Sequence, residues 1–334
     1  MKRYGSGIAM TAKNDAPHES KLQHLPVTLF ATVMGLAGTS LALHMAETQM
    51  GFGHAMSRSL LWMTVLDFAV ILAFYGLKAI RFPKTITEEW LHPVKLAFFP
   101  AISISLLLLA TAMRGDAPLV ARGLWCLGAA LQAGLTLAVI SGWIGRRPFQ
   151  PMHISPAWFI PAVGNVVAPI AGIPLGFVEL SWLFFATGMI FWVVLLTLVM
   201  NRLIFHDPLP GRLLPTLAIL IAPPAVGFLA WLQLNGGVLD PFARILFYAA
   251  ITFFAIVSVQ ARGFLKLPFA LSFWALSFPI AALSLATFRY ADLSSSQPHS
   301  ILAVAFLIVL VLVVLGLIWR TGLAVLRGEI CQPE

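Results

Sequence analysis

From about residue 22 onward the chain reads as long apolar stretches interrupted by short polar breaks. The stretches fall at roughly 25–45, 58–80, 93–113, 118–143, 155–176, 178–204, 211–233, 240–262, 269–290 and 300–322. Each supplies the roughly 17 to 25 residues, or slightly more, that a helix needs to cross about 30 Å of hydrocarbon. Lipid admits only helices and closed barrels, and these runs lack the apolar–polar alternation of barrel strands. The pattern therefore predicts an all-α integral membrane protein of ten transmembrane helices, with connections short enough to pair neighbours as antiparallel helices. Residues 1–22 are polar and are expected to form a disordered cytoplasmic tail without a cleavable signal peptide. The membrane domain is expected over 23–322, with a short cytoplasmic tail at 323–334.

Composition supports lipid as the solvent. Hydrophobic residues make up 60% of the 334 positions and charged residues only 10%, whereas a soluble globular chain carries about 25% charged residues. The formal charge of +8 would suggest nucleic acid in a soluble protein. Here the basic residues sit in loops between apolar runs, and no nucleic-acid partner is expected. Their distribution sets orientation instead. Of the 21 Lys and Arg, only Arg58, Arg114, Arg122, Arg244 and Arg289 lie on one side. The other 16 lie on the side that holds both termini, which is thereby predicted to be cytoplasmic.

An internal repeat is written in proline. An apolar residue followed by proline recurs at Pro26, Pro100, Pro161, Pro215 and Pro279, in spans one, three, five, seven and nine, and Pro223-Pro224 add a second break in span seven. The even spans carry proline only at a first turn (Pro118, Pro241), where the missing N–H costs nothing. Interior proline removes a backbone hydrogen bond and kinks a helix. In hydrocarbon, the freed carbonyl must find another partner or face water in a cavity. Five kinked helices alternating with five straight ones predict an inner ring that lines a passage and an outer ring that faces lipid. Gly35, Gly38, Gly164 and Gly172 would let odd spans approach their neighbours closely.

Little chemistry lies inside the spans. Asp67, mid-way along span two, is the one clear ionisable residue there, and a hydrogen bond to a Ser or Thr on a neighbouring helix is its expected role. Without a relay of such groups, strong proton coupling is disfavoured. No Gly-rich phosphate loop and no metal-spaced His/Cys set occurs, so neither an enzyme, a cofactor nor a metal site is expected. The eight histidines fall at span edges and in loops, and Cys126 and Cys331 offer no disulfide framework. The odd spans do carry uncharged polar groups, with Thr28, Ser103, Asn165, Thr216 and Ser277 as candidates for lining the passage. Such groups can solvate an ion without holding it tightly, or they can bond helix to helix.

Several segments resemble a known family. They are His24-Leu25-Pro26 through Gly35-Leu36-Ala37-Gly38, His92-Pro93-Val94 through Phe99-Pro100-Ala101-Ile102-Ser103, and Pro156-Ala157-Trp158-Phe159-Ile160-Pro161. Phe205-His206-Asp207-Pro208-Leu209-Pro210, Ala222-Pro223-Pro224-Ala225-Val226-Gly227 and Ser277-Phe278-Pro279 complete the set. In this order the chain is similar, from about residue 22 to 322, to the tellurite-resistance/dicarboxylate transporter (TehA-like) family, which includes the plant guard-cell slow anion channel. The resemblance implies five helical hairpins in quasi-five-fold arrangement, the odd helices surrounding a central pore, and a homotrimer in the bacterial inner membrane. It implies passive conduction of small anions such as chloride and nitrate. It also implies that the phenylalanine beside the kink proline of span nine, here Phe278, plugs the pore. Carriers or exporters of dicarboxylates, sulfite or tellurite-related oxyanions belong to the same family, so channel and carrier both stay open.

Overall fold

The computed structural model describes residues 21–145, 149–264 and 266–332. Nearly all of the tail expected over 1–22, together with Arg146 and Arg147, lies outside them. Among the described residues nine helical segments are long and apolar enough to cross a membrane, and a shorter apolar helix spans Pro156–Gly172. The shorter helix is the fifth span, expected over 155–176 and in fact cut back to 17 residues by Pro174 and the turn that ends at Phe177.

The α-helices are α1 (Phe30–Met50), α2 (Ala55–Arg81), α3 (Pro83–Leu91), α4 (Ala101–Met113), α5 (Pro118–Gly145) and α6 (Phe159–Val163). They continue as α7 (Ala168–Gly172), α8 (Val178–Phe205), α9 (Ala222–Leu234), α10 (Pro241–Phe264), α11 (Ser277–Ser294) and α12 (Gln297–Leu326). The odd spans are thus α1, α4, the α6–α7 pair, α9 and α11. The even ones are α2, α5, α8, α10 and α12. The short α3, not foreseen in the hydropathy pattern, links spans two and three. Helix α12 runs to Leu326, four residues beyond the expected end of the membrane domain at 322.

Two populations separate by burial. In the long odd spans 61 to 83% of the most apolar window is buried within the chain, against 28 to 33% in the even spans. The odd spans close on one another: α1 packs against α4 and α11, α4 against α7, and α9 against both α7 and α11. Each even span packs on the odd span before it. Lipid-facing apolar side chains such as Trp62, Leu66, Leu137, Ile190, Val259 and Leu312 stand on the even helices, as an outer layer requires.

The proline repeat takes a more specific form than a set of kinks. Every odd span begins in 3-10 geometry and then passes into α. The 3-10 stretches are Val27–Leu29, Lys95–Phe98, Pro156–Trp158, Gly211–Ile221 and Leu271–Leu276, with a second one, Gly164–Val167, inside span five. Such runs rarely exceed three or four residues, so the eleven of Gly211–Ile221 are unusual. Pro100 stands at the junction, Pro161 and Pro215 lie inside helical turns, and Pro279 sits in the first turn of α11. Pro26 is a correction. Its backbone is extended (φ −85°, ψ 145°) and precedes the first helical residue, so it starts span one and breaks no helix.

The carbonyls disturbed along these spans are met by side chains. The N–H that Pro215 lacks would have served the Arg212 carbonyl in a 3-10 turn, and the Ser272 hydroxyl donates to it instead. The Pro161 carbonyl accepts from Thr136 Oγ1 (2.8 Å) and Gln132 Nε2 (3.2 Å), both on the straight helix α5. Gln132 Oε1 in turn lies 2.7 Å from the Ser103 hydroxyl, so one buried amide ties spans three and five together. At the N-terminal end Lys78 donates to the Leu25 carbonyl (2.7 Å) and pairs with Glu89 at 3.1 Å, where Tyr75 also donates (2.8 Å). Lys78 and Glu89 are buried, ionisable groups beyond the single Asp67 expected. Their pairing makes that burial tolerable.

Candidate functional site

Two cavities lie along the axis of the odd-span ring. The first, of about 70 Å³, sits at the N-terminal halves of the odd spans. Its wall takes residues from all five, among them Met34, Phe98, Val163, Ile219 and Phe278. The second, of about 430 Å³, opens at their C-terminal ends, where Arg58, Arg114, Asp116 and Arg289 reach its wall. Phe278 and Val226 are the two residues that line both. The first cavity is almost wholly apolar, whereas polar groups make a large part of the second.

The ring of Phe278 has room against the closely packed α1 because α1 presents glycine there. A Cβ on Gly38 would meet the Phe278 ring at 3.3 Å and the Ala281 methyl at 2.9 Å, and one on Gly35 would collide with the Ser277 side chain. Pro279 follows directly, at the point where the 3-10 stretch Leu271–Leu276 turns into α11. The Phe278 side chain lines both cavities from this junction. It is half-buried, packed against core neighbours while facing both cavities.

The polar candidates from the sequence are placed elsewhere. Thr28, Ser103, Asn165, Thr216 and Ser277 appear in the wall of neither cavity. Four of them are fully enclosed, with Ser103, Thr216 and Ser277 at 0% exposure and Asn165 at 1%. Their hydrogen bonds are intramolecular. Ser103 reaches the Pro100 carbonyl (2.9 Å), Asn165 donates to the Ala162 carbonyl (2.6 Å), Thr216 to Leu213 (2.5 Å) and Ser277 to Trp274 (2.6 Å). Asp67 likewise accepts from Thr32 on α1 at 2.7 Å, the neighbouring-helix bond expected of it.

Electrostatics instead come from the wide cavity, whose charged residues sequence reasoning left among the loop cations. Arg58 and Asp116 form a two-point pair (2.8 and 3.1 Å), and Arg289 pairs with Asp292 at 2.8 Å. Arg114 has no acidic partner among the described residues and reaches only the Ile170 carbonyl, at 3.4 Å. Burial pulls its pKa below the ordinary value, but a guanidinium stays charged in proteins. The wall thus holds one uncompensated cation beside open space.

A ring of buried helices around two cavities, jacketed by straight helices with apolar outer faces, defines a multi-pass membrane protein. The sequence model of the voltage-dependent anion channel family, SLAC1, matches residues 24–322, and the chain belongs to that family. It is 29% identical over 320 residues to the S-type anion channel SLAH3 of Arabidopsis thaliana, covering 91% of this chain and 49% of that one. It is 27% identical over 285 residues to the tellurite resistance protein TehA homolog of Haemophilus influenzae, covering 84% and 86%. An uncharacterized transporter of Methanocaldococcus jannaschii is 25% identical over 291 residues, covering 78% and 83%. The chain spans about half the length of three of the plant relatives it matches, SLAH3, SLAH2 and SLAC1.

Proposed function

We propose that this protein is an anion-selective channel that passes small monovalent anions, such as chloride and nitrate, down their gradient along the axis of the odd spans, with Phe278 as the closing gate. The observation that carries this reading is the position of Phe278 in the wall of both axial cavities. A hydrophobic constriction can close a pore by excluding water, and the narrow cavity beyond Phe278 is apolar enough to do so. Anion preference is supported by the unpaired Arg114 at the wide cavity, since a low-dielectric cleft with an excess of one sign of charge concentrates the opposite ion. The names of the plant relatives point the same way.

In this reading the five hairpins stand in quasi-five-fold order. The molecule is a homotrimer of the bacterial inner membrane with one pore per subunit, and the basic end with both termini faces the cytoplasm. The second reading, a carrier or exporter of dicarboxylates, sulfite or tellurite-related oxyanions, is favoured by the TehA homolog and the transporter among the relatives. Chloride efflux from proteoliposomes separates the two. A channel gives flux that rises with the gradient without saturating and increases several-fold in Phe278→Ala. A carrier gives saturable flux, and no response to Phe278→Ala removes the gate.

A further inference from the structure

The turn joining α1 to α2 brings together three side chains that the sequence had left among edge residues. His44 and Glu47 lie on one face of α1, three residues apart, and His54 lies across the turn at the start of α2. The two imidazole rings stack with centroids 4.3 Å apart. His54 Nδ1 is shut off from solvent and has no hydrogen-bond partner, yet it stands 3.6 Å from Glu47 Oε2. That separation is too long for a hydrogen bond. It is close to the spacing of about 3.4 Å between two ligands of one tetrahedral ion bound at about 2.0–2.1 Å.

The carboxylate is already oriented. Glu47 is only 2% exposed, and its Oε1 accepts the backbone N–H groups of Met56 (3.1 Å) and Ser57 (3.2 Å), capping α2 from outside the helix. The Ser57 hydroxyl donates to Oε2, which is the kind of second contact that holds a metal-binding carboxylate in place. One ligand atom from each of the three residues falls within 4.8 Å of the others. The exposed His44 can close the remaining distance by side-chain rotation. His44 also lines the wide cavity, which gives an ion a way in and leaves a fourth position open to water or an anion.

We propose that His44, Glu47 and His54 form a binding site for a divalent transition metal of the Zn²⁺ class at the turn closing the first hairpin. Two imidazoles and one carboxylate suit Zn²⁺ and its first-row neighbours, whereas Ca²⁺ and Mg²⁺ demand oxygen ligands. The site stands on its own geometry and does not depend on what the axial passage conducts.

The test is calorimetric titration of Zn²⁺ into the purified, metal-stripped full chain in detergent. Wild type should take up one equivalent per chain, with Ca²⁺ giving no heat at the same concentrations. Loss of supporting groups at metal sites costs about 10–100-fold, so His44→Ala and His54→Ala should each weaken binding by at least about tenfold. Both substitutions leave the Glu47 cap on α2 intact, and an unchanged gel-filtration profile verifies folding. Co²⁺ in place of Zn²⁺ should give the visible absorption of a four-coordinate ion in wild type and lose it in the variants. Equal Zn²⁺ affinity in wild type and both variants, or no saturable binding in wild type, overturns the proposal.

Discussion

The two axial cavities share a wall at Phe278 and Val226 but are built on opposite principles. The narrow one is enclosed by the 3-10 and early α turns of the odd spans, and its lining residues are all apolar. The wide one lies where those helices have become regular, and it collects arginines from α2, the C-cap of α4 and α11. Backbone irregularity and polarity therefore do not coincide. Where the backbone is most broken, buried hydroxyls and amides of Ser103, Gln132, Thr136, Asn165 and Thr216 satisfy one another and the carbonyls around them. The wall left over is dry. On the proposed reading, the wide cavity attracts the ion and the narrow one decides whether it passes.

Four substitutions sharpen that contrast. Phe278→Ala should have the largest effect, raising chloride conductance about tenfold or more, because it removes the one large side chain common to both cavities. Val163→Ser, in the wall of the narrow cavity, should raise conductance by about two- to threefold by easing its wetting, with Phe278 still in place. Arg114→Gln should lower conductance by about threefold at low salt. The deficit should vanish near 1 M, where the Debye length is about 3 Å. Ser103→Ala should leave conductance and reversal potential unchanged while costing about 1 kcal/mol of stability, read as a lower Tm in detergent, because its hydroxyl bonds to Gln132 and not to the passage. A selectivity change in Ser103→Ala, or none in Arg114→Gln flux at low salt, would reverse the roles given to the two regions.

Much of the architecture was legible from the sequence because lipid imposes simple rules. Span length and proline parity rest on hydrocarbon thickness and backbone hydrogen bonding, and the buried odd spans and exposed even spans follow the parity. The lining of the two cavities was less legible. A Ser or Thr in a broken membrane helix has two outlets, the axis or a nearby carbonyl, and sequence alone does not choose between them. At Ser103, Thr216 and Ser277 the carbonyl three residues back took the hydroxyl, a contact within reach of the side chain's own turn. Phe278, which lines both cavities, was singled out by its neighbour Pro279 and the family resemblance. Arg114 was missed because a residue just past a span end reads as topology. The His44, Glu47 and His54 group was missed because the turn at Gly51–His54 joins residues from two spans. The i, i+3 spacing of His44 and Glu47 was its only linear trace.

The central claim is that anions cross on the axis past Phe278. Planar-bilayer recording of Phe278→Ala under a potassium chloride gradient tests it most directly. The account predicts a steady current whose reversal potential lies near the equilibrium potential of chloride and shifts when nitrate replaces it. A reversal potential near that of potassium, or a protein that stays silent with the phenylalanine removed, would contradict it.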